Sequence, residues 1–229
     1  MGIAERYRAV AAEVAAACAQ AGRDPSEVTL IAVSKTVGCD GVAQAMDGGA
    51  RAFGENRPDQ LVPKAAGFPQ AAWHFIGNIQ SRRIRDIVGS ATLIHSLCEM
   101  RHARKIDAAA ADLGKIQEVL IEVNVSGELS KSGIAPGDAL AMVRECAALS
   151  HVQVRGLMTM APAGNSAIAR ESFEGLAALA ASIRSSLPES QAAAFDGLSM
   201  GMSGDWREAI AAGATMVRIG RAIFSDAFE

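Results

Sequence analysis

Residues 28–36 read Val-Thr-Leu-Ile-Ala-Val-Ser-Lys-Thr, six residues suited to an extended chain followed by a serine and a lysine. A strand apolar on both faces belongs in a parallel sheet covered on both sides. Working outward, similar short runs rich in Val, Ile, Leu and aromatics recur at 51–53, 73–76, 93–96, 117–123, 153–158, 195–199 and 215–219. Seven helical segments lie between these eight strands, among them 41–48, 100–113 and 136–149. Each unit has about 28 residues, enough for one strand, one helix and two short loops. Without a glycine-rich dinucleotide turn, eight such units fit a closed (β/α)8 TIM barrel of the α/β class better than an open doubly wound sheet. An additional helix precedes the first strand, stopped by Gly22, Asp24 and Pro25, and is expected to cap the barrel floor. No repeat, low-complexity tract or Pro/Gly/Ser linker interrupts the chain, so residues 1–229 read as one domain.

Half of the residues are apolar and 21% are charged, the balance of a globular protein. A net charge of −3 and no basic run leave no electrostatic footprint for nucleic acid or an anionic membrane. The uncharged stretch 14–22 is too short to span a bilayer and lacks a secretory layout. Arg6 stands where a myristoylation motif requires Ser or Thr. Cys18, Cys39, Cys98 and Cys146 are widely spaced, which indicates neither a disulfide framework nor a zinc site and suggests a reducing, cytoplasmic compartment.

In such a barrel the chemistry sits where strands end at their carboxyl side. Lys35 ends the first strand and is expected to emerge into an enclosed mouth, where desolvation would lower its pKa and free an amine able to attack an aldehyde. The alternative is a lysine that only snorkels to water. The run Gly201-Met-Ser203-Gly204-Asp205-Trp206 precedes a helix, so backbone N–H groups and the Ser203 hydroxyl offer an anion site. Equally, Ser203 or Asp205 could be that helix's N-cap. Gly220 and Arg221 follow the eighth strand, and loops after strands seven and eight together commonly hold a phosphate. Arg218, within a buried strand, needs a partner or ligand. It either faces a pyridine nitrogen or turns outward to a helix carboxylate such as Glu208.

Other polar residues read as structural. His95, Glu99 and His102 have a loose helical spacing and lack a fourth ligand, so no metal is expected. Cys39 reads as a small buried residue. Glu55 reads as orienting Asn56 or Lys35, or as a helix N-terminal acid.

The blocks AVSKT around Lys35, FGENR at 53–57, WHFIG at 73–77, SKSG at 130–133, RGLMTM at 155–160, LSMGMSGDW at 198–206 and MVRIGRAIF at 216–224 resemble the pyridoxal phosphate homeostasis protein family. The blocks keep the family's order and cover nearly the whole chain. The resemblance implies a barrel similar to the N-terminal domain of alanine racemase, binding pyridoxal 5′-phosphate (PLP) as an internal aldimine on Lys35. It further implies Ser203, Gly204, Gly220 and Arg221 around the phosphate, Arg218 facing the pyridine nitrogen, Asn56 and His74 near the ring, and Met200 among the cofactor-binding residues. The chain departs from the family at Arg221, where Thr is common, and at QSRR (80–83), where Q-x-N-K is usual.

A racemase needs a second acid or base opposite the lysine, which alanine racemase takes from a tyrosine of an added C-terminal domain. Here the sequence ends at Glu229, and its one tyrosine, Tyr7, lies in the opening helix, expected at the barrel floor or rim. Losing such a group costs about 10²- to 10⁴-fold in rate, and an arginine at the pyridine nitrogen weakens the ring as an electron sink. The expectation is a monomeric PLP-binding protein that buffers, protects or delivers the cofactor, with transient contacts to PLP-dependent apoenzymes and without robust catalysis. The alternatives are a PLP-dependent amino-acid racemase using His74 or a cysteine as base, and a Schiff-base aldolase of a sugar phosphate.

Overall fold

The computed structural model describes residues 1–128, 131–162 and 164–225. Eight strands, β1 (Thr29–Val33), β2 (Ala52–Glu55), β3 (Ala72–Phe75), β4 (Leu93–Leu97), β5 (Gln117–Glu122), β6 (Val152–Met158), β7 (Gly197–Ser199) and β8 (Met216–Ile219), pair in sequence order and close into a barrel. Every pairing is parallel, including the closing one, which sets Ile31 against Arg218 and Ala32 against Ile219. The helices are α1 (Ile3–Gln20), α2 (Cys39–Asp47), α3 (Pro58–Gly67), α4 (Ile84–Ser90), α5 (Met100–Asp112), α6 (Ala139–Cys146), α7 (Ser166–Ser185), α8 (Glu189–Ala194), α9 (Trp206–Ala211) and α10 (Arg221–Phe224). The short α8, a second helix between β6 and β7, and α10, after β8, add to the seven inter-strand segments expected from sequence. The 136–149 segment divides into a 3-10 turn at Pro136–Asp138 and α6. No helix among the described residues is long and apolar enough to cross a membrane.

The strands have two apolar faces because each faces a different core. Outward residues such as Ala32, Phe53, Trp73, Phe75 and Ile94 join the helices in the main hydrophobic cluster, where Phe53 and Trp73 stack with ring centroids 5.2 Å apart. Inward residues Ile31, Ala52, Leu93, Leu120, Met158 and Met216 form a separate apolar plug inside the barrel. This is the layered filling expected of an eight-stranded barrel.

The opening helix corrects one expectation. Its buried residues Tyr7, Val10, Val14 and Cys18 follow helical spacing and form one face. That face packs chiefly on α2, α9 and α10, elements of the outer ring, and not across the floor. The reason lies in length: α10 has only four residues, and the 18-residue α1 fills the ring beside it. Arg6 Nε donates to the carbonyl of Ile223 at 2.8 Å and ties the two together.

Candidate functional site

Side chains alternate along a strand with a period of two, so the residue two places beyond each plug residue also faces inward. From Ala72, which packs against the plug, this step reaches His74; from Leu93 it reaches His95, from Leu120 Glu122, and from Met216 Arg218. Gly197 is followed in the same way by Ser199. A polar layer therefore lies directly above an apolar one, on the side where the strands end. All five residues are buried, with His95 and Ser199 at 0% exposure.

Four of them, His74, His95, Ser199 and Arg218, form a continuous hydrogen-bonded chain, and Glu122 acts on Arg218 by charge alone. His74 Nδ1 lies 2.9 Å from His95 Nε2, and His95 Nδ1 lies 2.8 Å from Ser199 Oγ. Arg218 donates from one guanidinium nitrogen to Ser199 Oγ at 2.5 Å and from another to the carbonyl of Thr159 at 3.0 Å. Burial pushes His74 down to about 4 and His95 well below the usual histidine range, so both rings are neutral near pH 7. Burial also lowers Arg218 to about 10, opposed by the nearby carboxylates of Asp205 and Glu122. The same desolvation raises Glu122 and Asp205, and the Arg218 charge offsets part of it. Arg218 thus points into the barrel, and the outward pairing with Glu208 is set aside.

Lys35 follows β1 at the same end of the barrel, but it is exposed. The enclosed, desolvated setting expected for its ammonium is not what the chain provides, because it lies in an open groove shared with Cys39, Asp59 and Lys64. The peptide before it is held firmly. Ser34 Oγ donates to Glu55 Oε1 at 2.7 Å, and Lys64 Nζ donates to the same oxygen at 2.5 Å and to the Ser34 carbonyl at 2.9 Å. Glu55 therefore neither orients Asn56 nor starts a helix; it anchors the strand end that carries Lys35. Cys39, expected to be buried, is exposed at the first position of α2.

Asn56 is half-buried at the end of β2. Its backbone packs so tightly on Gly77 that a Cβ there would lie 2.0 Å from the Asn56 carbonyl oxygen, which explains the glycine of WHFIG. Met200 stands apart from the site: its side chain is wholly buried in the main core, because the residue after inward Ser199 must point outward.

The loops after β7 and β8 come together. Gly204, Asp205 and Arg221 line one cleft of about 400 Å³ with Ala161 and Asn165 from the loop after β6. The turn into α9 requires Gly201, which has φ +89° and whose Cβ would fall 2.6 Å from that of Ala209. Neither Ser203 nor Asp205 caps α9 through its side chain; Asp205 Oδ1 accepts instead from the Met202 amide at 2.6 Å. Among the described residues the amides of Ser203, Gly204 and Gly220 make no hydrogen bond. Gly220 also connects this loop to Lys35: its Cβ position is 3.1 Å from the Val33 carbonyl oxygen, two residues before the lysine.

The remaining sequence features resolve simply. His95 turns inward, apart from Glu99 and His102; His102 Nδ1 lies 3.8 Å from Glu99 Oε1 while its Nε2 meets Ser81 Oγ at 3.1 Å. Among the described residues no group of three or more His, Cys, Asp or Glu could hold a metal ion. In the QSRR segment, Arg83 pairs with Asp59 and Asp86 at 2.6 Å each. Of the SKSG block, Ser130 lies outside the described residues. Sequence reasoning overlooked His95, Ser199 and Glu122 as members of the interior layer. For His95 and Glu122 the signal was a polar residue two places after an inward apolar one, Leu93 and Leu120.

Comparison with known proteins agrees with this architecture. The family model for the alanine racemase N-terminal domain matches residues 6–227. The pyridoxal phosphate homeostasis protein of Deinococcus radiodurans is 42% identical, with 95% of this chain and 98% of the relative covered. Its Escherichia coli K12 counterpart is 38% identical, covering 97% and 95%. Among solved structures, PipY of Synechococcus elongatus PCC7942, with PLP bound, superposes with a TM-score of 0.81 at 34% identity, covering 97% of this chain and 99% of PipY. The chain with the Lys35 strand end, the interior arginine layer and the two glycine loops belongs to the alanine racemase N-terminal-domain family and, within it, to the pyridoxal phosphate homeostasis proteins.

Proposed function

We propose that this protein binds PLP through the amine of Lys35 and serves cellular PLP homeostasis by buffering, protecting or delivering the cofactor, without robust catalysis. The observation that carries this reading is the placement of Gly220 against the strand end of Lys35, which sets an amine able to take an aldehyde beside amides able to take an anion. The donor set fits the group. The amides of Ser203, Gly204 and Gly220, with Arg221 at the cleft, would hold its phosphate, and such unpaired N–H groups favour anions. Arg218 would meet its pyridine nitrogen from within the barrel, with Asn56 and His74 near the ring. The bound cofactor supplies an aldehyde with which an amine can bond reversibly. Met200 would contribute only through its backbone.

The sole tyrosine supports a carrier over a racemase, because Tyr7 is packed in α1 against the outer ring, away from the strand ends. The free cysteines among the described residues support a reducing, cytoplasmic setting. In this reading residues 1–229 act as one monomeric barrel domain that meets PLP-dependent apoenzymes only transiently. The test is the visible absorption spectrum of the purified protein. The parent is expected to show the band of lysine-bound PLP and Lys35→Ala to lose it; an unchanged band in the variant would remove Lys35 from the site. Amino acids incubated with the loaded protein in deuterated water are expected to retain their α-protons, and rapid exchange would favour the racemase.

A further inference from the structure

We propose that Arg218, Ser199 and His95 form a one-directional relay that holds His74 as a neutral hydrogen-bond donor, protonated on Nε2, so that His74 positions a ligand and does not act as an acid or base. The direction follows from counting protons. Arg218 has no acceptor atom, so Ser199 Oγ must accept from it. The single hydroxyl proton of Ser199 then needs an acceptor, and among the described residues the only other partner of Oγ is His95 Nδ1. Were His95 Nδ1 the donor, a fully buried hydroxyl proton would be left unpaired, which folded proteins avoid. His95 therefore accepts at Nδ1 and, being neutral, carries its proton on Nε2. That proton is donated to His74 Nδ1, which leaves the proton of His74 on its own Nε2.

His74 Nε2 makes no hydrogen bond among the described residues and is not one of the sealed, unpartnered atoms, so it remains reachable. It presents an N–H and no lone pair. Accepting a proton from a substrate carbon at that atom would require the His95–His74 and Ser199–His95 bonds to reverse while Arg218 still donates, which would leave the buried Ser199 hydroxyl proton unpaired. His95 and Ser199 are thus positioning residues. The ligand group opposite His74 must be an acceptor, and its identity as part of PLP rests on the proposed function; the relay itself does not.

The test uses protein labelled with ¹⁵N in histidine and long-range ¹H–¹⁵N correlation of the imidazoles at neutral pH, without cofactor. Both rings are expected as Nε2–H tautomers; an Nδ1–H tautomer or an imidazolium at His74 would overturn the proposal. In Ser199→Ala the single tautomer of His95 is expected to give way to a mixture, and added PLP to dissociate about tenfold faster, with Ser199→Thr restoring both. Unchanged tautomers in Ser199→Ala would also overturn it. A protein that failed to bind PLP would defeat the proposed function while leaving the tautomer result intact.

Discussion

Replacing Lys64 by methionine probes the anchor beneath Lys35. The variant keeps the apolar stem but removes an ammonium that is 5% exposed and bonded to Glu55 Oε1, to the Ser34 carbonyl and, at 3.3 Å, to Gln60 Oε1. The Glu55 side chain is wholly buried, and its second oxygen already has no partner among the described residues. The site therefore holds no spare donor for the carboxylate. Breaking a buried pair from one side costs about 3–5 kcal/mol, a large part of a total stability of about 5–15 kcal/mol. For a chain of this size that corresponds to a fall in Tm of roughly 10 °C. Equilibrium unfolding in urea, followed by circular dichroism, measures it directly. Adding Glu55→Gln removes the stranded charge, and the double variant is expected to recover about 2 kcal/mol. A loss below about 1 kcal/mol in Lys64→Met, or a double variant no more stable than the single, would refute the argument that a sealed charge pair fixes this strand end.

Two further outcomes follow from the interior. Since the folded-state value of His74 is about 4, below the ordinary 6.5, the unfolded chain binds the extra proton between those values. Stability is therefore full above about pH 6.5 and falls as pH drops toward 4, by roughly 2 kcal/mol at pH 5 from this ring alone; urea midpoints at pH 7 and 5 check it, and His74→Gln should lessen the dependence, leaving the part that buried His95 contributes in the same direction. Gly77→Ala would press a methyl group into the Asn56 carbonyl, so Asn56 must move. The expected result is a cost of about 1–3 kcal/mol with weakened PLP retention, measured by unfolding and by dialysis of the loaded protein.

The eight strands were legible because a run such as Val-Thr-Leu-Ile-Ala-Val is apolar on both faces, and only a covered parallel sheet satisfies that. The placement of α1 was not, since an amphipathic stripe says that a face is buried without saying against what. Lys35 illustrates a second limit. Its position at a strand end could be read, but its exposure depends on how the α2 and α3 segments close around it, and that is set by tertiary packing. His95 shows a third, because its spacing to Glu99 and His102 drew attention along the chain, while the strand alternation pointing it at Ser199 and Arg218 acts across the barrel.

The division of labour between rigid interior and open rim bears on what the barrel can do. The inner groups are immobile by construction: Arg218 is fixed by Ser199 and Thr159, and the two histidines are locked to each other above an apolar plug. Lys35 and the Arg221 loop lie at the surface instead. Turnover chemistry rewards a sealed site with water excluded and a poised base, whereas capture and release reward a rigid recognition floor beneath an amine that solvent and partner can reach. The exposed Lys35 at the rim, with a buried arginine layer inside the barrel, has the second arrangement, the one the proposed carrier role calls for.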